Sequence, residues 1–195
     1  DLYDCSGSII AGENNILKNN KTISVFGSAN DVSGNTVDSI VVGNINKEKS
    51  GTRNATFGYN NTITSATNNI TSGSSNDLTS TTNNITSGSS NILINGSNNA
   101  IFGGSNNETS TNNSLLTGLS NISNNSNYIL TQGFGNVISS TNYSIISGTN
   151  HSEINGDTNT IFGKTQTVSD SSAVLLSGFN HTINESYFSN IHGQS

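Results

Sequence analysis

Residues 69–91 read NITSGSSNDLTSTTNNITSGSSN, in which the octapeptide NITSGSSN occurs twice, fifteen residues apart. The glycines of the two copies, Gly73 and Gly88, belong to a register that runs along the whole chain. Eleven of its twelve intervals are 15 residues long, and the interval from Gly27 to Gly43 is 16. The register consists of Gly12, Gly27, Gly43, Gly58, Gly73, Gly88, Gly103, Gly118, Gly133, Gly148, Gly163, Gly178 and Gly193. A fixed short period of this kind is typical of a solenoid, in which one small structural unit is stacked many times.

Apolar residues keep constant distances from each glycine. The three residues before it are mostly apolar or β-branched, as in 40–42 and 100–102, and an apolar residue such as Leu78 recurs five positions after it. Fifteen residues accommodate two short strands and two turns, and Gly, Asn and Ser suit turns because they tolerate positive φ angles. No helical period is sustained. We therefore predict an all-β fold, a parallel β-solenoid (β-roll) of about thirteen 15-residue coils with two short strands per coil.

Asparagine follows the glycine by three residues in nine consecutive coils. Stacked side-chain amides can donate a hydrogen bond to one neighbour and accept one from the other, so we predict an amide ladder with a structural role. Its members are Asn15, Asn30, Asn46, Asn61, Asn76, Asn91, Asn106, Asn121 and Asn136. His151, Gln166 and His181 continue this position, and we expect them to replace asparagine in the ladder.

The strand before the glycine is apolar at consecutive positions in many coils. A strand with this pattern is usually buried on both faces, and a two-stranded coil has only one interior. The second face would then need a partner, so we predict that the protein is an oligomer. We assign the interface to apolar residues two positions before the glycine: Ile10, Val25, Val41, Ile101, Leu116, Ile146, Ile161, Leu176 and Ile191. The alternative is a moderately apolar, Thr-rich face that is exposed to solvent.

Composition and charge restrict the function. The net charge is −6 and five of the six basic residues lie between Lys18 and Arg53, so nucleic-acid binding is not expected. No apolar run is long enough to span a membrane. The sequence has no nucleophile elbow, no phosphate-binding loop, no paired carboxylates in register and no calcium-binding repeat. We therefore predict no enzymatic activity, no cofactor and no metal.

The chain is predicted to be one solenoid domain, residues 7–195, after an N-terminal lead, residues 1–6. We expect the 16-residue interval and the charged segment 47–49 to form a bulge or projecting loop. Cys5 cannot pair within the chain, so it is either a free thiol or part of an intermolecular disulfide. Asn-x-Ser/Thr sequons are numerous, and those on the ladder, such as Asn121, should be protected from glycosylation.

The repeat, an apolar triplet that ends in glycine and continues as x-x-Asn-x-apolar, resembles the head repeat of YadA-type trimeric autotransporter adhesins. The segments that resemble it most are residues 8–12, 38–43, 99–103 and 159–163. The resemblance implies a left-handed parallel β-roll that trimerises along one face and serves in attachment on a cell or virion surface. Similar repeats occur in surface fibres of phages and large viruses. The stalk, neck and membrane anchor of the family have no counterpart in this sequence.

Three functions are compatible with these patterns. The first is an extracellular surface fibre, a homotrimer that binds a host receptor or matrix. The second is a structural filament or spacer whose subunits stack end to end. The third is an ice-binding solenoid, for which the Thr-x-Thr ranks at residues 62–64 and 165–167 are too sporadic to form a regular surface.

Overall fold

The computed structural model describes residues 2–194, and it confirms the all-β parallel solenoid of about thirteen coils with two strands in each. The chain divides between Ser97 and Asn98 into two compact units. In the first, the odd-numbered strands are β1 (Leu2–Ser6), β3 (Ile16–Lys21), β5 (Asp31–Ser33), β7 (Lys47–Lys49), β9 (Thr62–Thr64), β11 (Asp77–Thr79) and β13 (Ile92–Ile94). Its even-numbered strands are β2 (Ile9–Ala11), β4 (Ser24–Ser28), β6 (Ile40–Asn44), β8 (Ala55–Tyr59), β10 (Ile70–Ser74) and β12 (Ile85–Ser89).

The second unit repeats this architecture. Its even-numbered strands are β14 (Ala100–Gly104), β16 (Leu115–Leu119), β18 (Leu130–Phe134), β20 (Ile145–Thr149), β22 (Thr160–Lys164), β24 (Leu175–Phe179) and β26 (Asn190–Gln194). Its odd-numbered strands are β15 (Asn107–Thr109), β17 (Ile122–Asn124), β19 (Val137–Ser139), β21 (Ser152–Ile154), β23 (Thr167–Ser169) and β25 (Thr182–Asn184). In each unit the odd strands form one parallel sheet and the even strands, which contain the glycines, form another. We call them the odd-strand sheet and the even-strand sheet.

Most coils turn at three corners at which a residue other than glycine adopts a positive φ angle; in the coil after Gly133 the first of these corners is Gly135. In the coil that follows Gly73 these are Ser75, Ser80 and Asn83, with φ of 56°, 56° and 59°. Asparagine and serine are tolerated there because their short side chains hydrogen-bond to the local backbone. The abundance of these two residues in the sequence therefore follows from the geometry of the corners.

The hydrophobic core is a narrow column between the two sheets. The residue two positions before each glycine and the residue five positions after it point inward, as Val25 and Val32 do, and both are fully buried. Some inward positions are polar: the hydroxyls of Thr56, Thr71 and Thr86 are buried without a hydrogen-bond partner. The interior is thin, so hydrogen bonding between coils must carry much of the stability.

The bulge and the N-terminal lead differ from the prediction. Lys18 pairs with Ser33 fifteen residues later, but Lys21 pairs with Val37 sixteen residues later, so the extra residue lies in the corner at 34–36. The segment 47–49 is strand β7 and not a projecting loop. It stays in register because its central side chain, Glu48, occupies a core position and is buried. The described part of the lead forms β1, which pairs with β3 inside the odd-strand sheet.

Candidate functional site

The glycine column marks the closest approach between successive coils. A Cβ atom on Gly73 would lie 1.9 Å from the carbonyl oxygen of Gly88 in the next coil. Gly73 also has a φ of 114°, outside the regions that residues with a side chain readily adopt. The same relation recurs along each unit, for example between Gly118 and Gly133. Only glycine fits this column, so it is a structural feature of the backbone and not a ligand site.

The asparagine column is a continuous hydrogen-bonded ladder within each unit. The Nδ2 of Asn76 donates to Oδ1 of Asn61 at 3.0 Å and to the carbonyl oxygen of Gly88 at 3.1 Å. Its own Oδ1 accepts from the backbone nitrogen of Asn91 at 3.1 Å and from the Nδ2 of Asn91 at 3.0 Å. All nine predicted members are buried: Asn15, Asn30, Asn46, Asn61, Asn76 and Asn91 in the first unit, and Asn106, Asn121 and Asn136 in the second.

In later coils the ladder position is occupied by histidine or glutamine in place of asparagine. The backbone nitrogen of His151 donates to Oδ1 of Asn136 at 3.0 Å, and the Nε2 of His181 lies 3.0 Å from the carbonyl oxygen of Gly193, as an asparagine Nδ2 would. Burial lowers the pKa of His151, which favours the neutral ring. Gln166 is buried, and its side-chain amide has no hydrogen-bond partner. Within residues 2–194 no cluster of three His, Cys, Asp or Glu side chains is arranged to hold a metal.

Replacing Asn76 with leucine is expected to lower the free energy of unfolding by roughly 3–5 kcal/mol, because several buried groups lose their partners at about 1–3 kcal/mol each. The groups are Oδ1 of Asn61, the carbonyl oxygen of Gly88 and the backbone nitrogen of Asn91. Denaturant unfolding measures the loss. Asn184→Leu is the control, since Asn184 is exposed and its side chain accepts one bond, from Ser169. Equal stability of the two variants would contradict a structural role for the ladder.

A second buried asparagine column lies four residues before the glycine, and the sequence analysis did not identify it. The Nδ2 of Asn69 donates to Oδ1 of Asn54 at 3.2 Å, and the Nδ2 of Asn84 donates to Oδ1 of Asn69 at 3.0 Å. The signal was present, because asparagine occupies this position in coils that end at Gly58, Gly73, Gly88, Gly103 and Gly163. Asn54, Asn69, Asn84 and Asn121 are sequon residues, and their burial excludes them from glycosylation in the folded chain.

Three carboxyl groups are buried in core positions five residues after the glycine: Glu48, Glu108 and Glu153. Glu48 and Glu153 have the same surroundings, in which a serine hydroxyl and an asparagine Nδ2 both donate to Oε1. Burial raises the pKa of both carboxyls, although these two hydrogen bonds oppose the shift. A glycine completes each site: a Cβ on Gly51 would lie 2.4 Å from Oε1 of Glu48, and one on Gly156 would lie 2.3 Å from Oε1 of Glu153.

Glu108 lacks this arrangement. Asn99 and Ser114 occupy the serine and asparagine positions in reverse order. Neither carboxyl oxygen of Glu108 has a hydrogen bond of good geometry, and burial raises the pKa of this group to about 8. Within the second unit Glu108 and Glu153 lie three coils apart, so they form no paired acid–base site.

The predicted oligomer interface is wrong, because the residues assigned to it lie on the inner face of their strands and not on the outer face. Side chains on a strand alternate between faces, and the residue two before the glycine points into the coil. Seven of the nine assigned residues are completely buried within one chain: Val25, Val41, Ile101, Leu116, Ile146, Ile161 and Leu176. Ile10 packs against the core cluster of the first unit and Ile191 against a cluster of the second, and both are only partly buried. The seven buried side chains are core residues and cannot contact another protomer.

The exposed face of the even-strand sheet carries a different apolar set. Three residues before the glycine, eight coils have a large aliphatic side chain: Ile9, Ile40, Ile70, Ile85, Leu115, Leu130, Ile145 and Leu175. All eight are exposed. We call this set the aliphatic stripe. Few charged residues accompany the aliphatic stripe on the outer face of the even-strand sheet; Lys164 on β22 is one of them.

Side-chain volumes on this exposed face compensate one another within each coil. Four coils have a small residue instead of the aliphatic one, namely Ser24, Ala55, Ala100 and Thr160. In these four coils the residue directly before the glycine is phenylalanine: Phe26, Phe57, Phe102 and Phe162. In the eight coils of the aliphatic stripe that residue is never aromatic; it is Ala11, Val42, Ser72, Ser87, Thr117, Gln132, Ser147 or Ser177.

A shallow groove of about 660 Å³ borders the stripe in the second unit. Leu115, Leu130 and Ile145 form one side of it, and Tyr128 and Tyr143 form another. The two rings are stacked with centroids 4.8 Å apart and planes 3° from parallel, and both are more than half exposed. The groove thus widens the apolar surface beyond the strands.

Comparisons with known proteins leave the family open. No protein-family model matches the sequence, and no curated protein is similar to it. Among solved structures, the polySia specific acetyltransferase NeuO aligns with 93% of this chain and 71% of its own, at 12% identity and a TM-score of 0.17. Between Leu2 and Gln194 there is no helix long and apolar enough to cross a membrane.

Proposed function

We propose that the protein is a subunit of an extracellular fibre on a cell or virion surface, where it attaches to a host receptor or matrix. We further propose that it acts as a homotrimer whose copies pack through the outer face of the even-strand sheet. The volume compensation on that face carries the proposal. Residues that face water have no reason to conserve the summed volume of two neighbours, whereas residues packed against a second surface do.

The compensation also restricts how the copies are arranged. The two positions whose volumes compensate belong to the same coil. If they meet across an interface, a small residue on one copy must therefore face the phenylalanine of the same coil on another copy. Copies related by rotation about an axis parallel to the solenoid satisfy this requirement, and cyclic symmetry closes such an assembly. A surface with the same coil spacing over many coils is supplied most directly by another copy of the chain. Few charged residues and several aromatic ones also favour this face as an interface.

Replacing Leu115 and Leu130 with aspartate is expected to reduce the assembly to a folded monomer of 20.3 kDa. The fold should survive because the two side chains are 37% and 38% exposed in the single chain. Ile92→Asp with Val137→Asp, on the outer face of the odd-strand sheet, is the matched control and should stay assembled. Light scattering measures the molar mass in solution. A Leu115/Leu130 variant with the same molar mass as the unaltered protein would show that these side chains do not form the interface between copies.

Disulfide trapping tests the level at which copies meet. In a Cys5→Ser background, Ile85→Cys chains refolded with Ser87→Cys chains should cross-link, because the two positions share a coil. Ile85→Cys chains refolded with Val42→Cys chains should not, since these positions are three coils apart within the first unit and a disulfide requires Cα atoms within about 7 Å. Attachment is then compared between assembled and monomeric protein: multivalent binding predicts that the monomer attaches far more weakly.

A further inference from the structure

Positive charge is concentrated in a small part of this acidic chain. Three of the five clustered cations lie on the outer face of the odd-strand sheet: Lys18 on β3, and Lys47 and Lys49 on β7. Lys18 pairs with Ser33, which pairs with Lys49, so the two lysines stand in one column about 10 Å apart. Lys47 and Lys49 lie two residues apart on the same face. Lys21 and Arg53 occupy the adjoining corners, and all five side chains are exposed.

These cations have no intramolecular partner in the described part of the chain. Asp31 is opposite Lys47 in the sheet register, yet no ion pair joins any of the five cations to a carboxylate in residues 2–194. The neighbouring acids within residues 16–53 are Asp31, Asp38 and the buried Glu48. The formal charges of the five cations and three acids in this stretch sum to +2, and Asp4 on β1, which pairs with β3, is a further acid beside the patch.

The same coils contain the irregular corner of the solenoid. Gly34 and Asn35 both adopt positive φ angles there, at 74° and 65°. A groove of about 340 Å³ lies beside this corner, and its lining includes Asn19, Lys21 and Asn35 together with Asp4. The extra residue, the groove and the cations thus coincide in a fold that otherwise repeats regularly.

We propose that this surface, the cationic patch of Lys18, Lys21, Lys47, Lys49 and Arg53, binds an acidic polysaccharide that carries sulfate or carboxylate groups. The inference rests on the proposed attachment function and names the class of its receptor. Ammonium groups spaced along a strand face match anionic groups repeated along a polymer, and the amides of the groove can bond sugar hydroxyls.

Two other polyanions fit less well. A nucleic-acid duplex is long and stiff, so it would extend beyond the patch towards a remainder of the chain that is acidic. A membrane surface is usually held by basic residues together with exposed apolar anchors. On this face residues 18, 31, 33, 47 and 49 are polar, and Tyr3, the exposed aromatic residue opposite Lys18, carries a hydroxyl. A short or flexible glycan can confine its contacts to the patch.

Binding of a heparin fragment, a hyaluronan fragment and neutral dextran to the full chain tests the proposal. At low salt the two acidic glycans should bind and dextran should not, and raising the salt should weaken binding. A variant with Lys18→Gln, Lys47→Gln and Lys49→Gln should bind at least about tenfold more weakly, since each lysine near an anionic surface contributes appreciably. A variant with Lys18→Arg, Lys47→Arg and Lys49→Arg keeps the three positive charges at the same positions; it is the matched control and should bind as the unaltered protein does.

Circular dichroism and the mass in solution show whether the triple variant still folds and assembles. Loss of glycan binding with unchanged assembly supports the patch. Absence of binding to both acidic glycans, or an equal affinity of the triple variant, overturns it while leaving the self-association proposal standing. If duplex DNA bound as tightly as the glycans, and the triple variant lost this binding too, the ligand of the patch would be a nucleic acid and not a polysaccharide.

Discussion

Gly73→Ala is expected to destabilise the solenoid by at least about 4–5 kcal/mol, which is exceptional for the addition of a single methyl group. The added Cβ would lie 1.9 Å from the carbonyl oxygen and 2.8 Å from the carbonyl carbon of Gly88, and both are backbone atoms that cannot rotate away. Relief requires the coils to separate, which would break the hydrogen bonds of β10 with β12. The φ of 114° adds strain of its own.

Gly7→Ala is the matched control for this substitution. Gly7 has a φ of 62°, and a Cβ there would meet its nearest atom at 3.8 Å, an ordinary contact. The free energy of unfolding of this variant should therefore fall only by the cost of placing alanine in a left-handed conformation, about 1–2 kcal/mol. Denaturant unfolding followed by circular dichroism compares the two. If both variants lost the same small amount, close approach between coils would not be the reason for glycine in the column.

Unfolding of the protein should depend on pH through Glu108, with stability falling as the pH rises from about 4.5 to about 8. In the unfolded chain this carboxyl ionises near pH 4.5, whereas burial holds the folded carboxyl protonated up to about pH 8. Between these values the unfolded state binds fewer protons, so raising the pH favours unfolding. One pKa unit corresponds to about 1.4 kcal/mol, which gives a loss of about 5 kcal/mol from this single group.

Glu108→Gln isolates that contribution. The variant cannot ionise at this position, so its free energy of unfolding should vary less between pH 4 and 9 than that of the unaltered protein. The two proteins should be similar in stability at low pH, and the glutamine variant should be the more stable above the folded pKa of about 8. The pH dependence that remains in the variant includes the contributions of Glu48, Glu153 and His151, whose pKa values are also shifted. Parallel stability curves for the two proteins would show that Glu108 does not titrate as the structure requires.

The fold could be predicted from the sequence because its determinants are local and repeated. A glycine at each point of close approach and an asparagine three residues later recur often enough to reveal the coil, its strands and one hydrogen-bonded column. The sequence does not determine equally well which face of each strand points into the coil. When positions two and three before the glycine are both aliphatic, as in Leu115 and Leu116, composition alone does not distinguish the buried face from the exposed one.

The buried carboxyls show a second limit of the sequence. Glu48, Glu108 and Glu153 interrupt the apolar position five residues after the glycine, and nothing in the pattern indicates that a carboxyl is accommodated inside the coil. Their side chains remain inside because the backbone register is fixed by the neighbouring strands. For Glu48, the serine and asparagine that donate to its Oε1 come from positions nine residues before it and six after it. This pairing becomes visible only when the coil is closed.

The corner at 34–36 shows where this architecture accepts a change of length. One residue added inside a strand would turn every following side chain to the opposite face, but at this corner the added residue is absorbed and β5 and β7 remain paired through Asp31, Val32 and Ser33. Lys21, Val37 and Thr52 are likewise aligned across it. Peptides grafted between Gly34 and Asn35 would therefore be carried by the solenoid without disturbing its repeat, which makes this corner a natural position for epitope display.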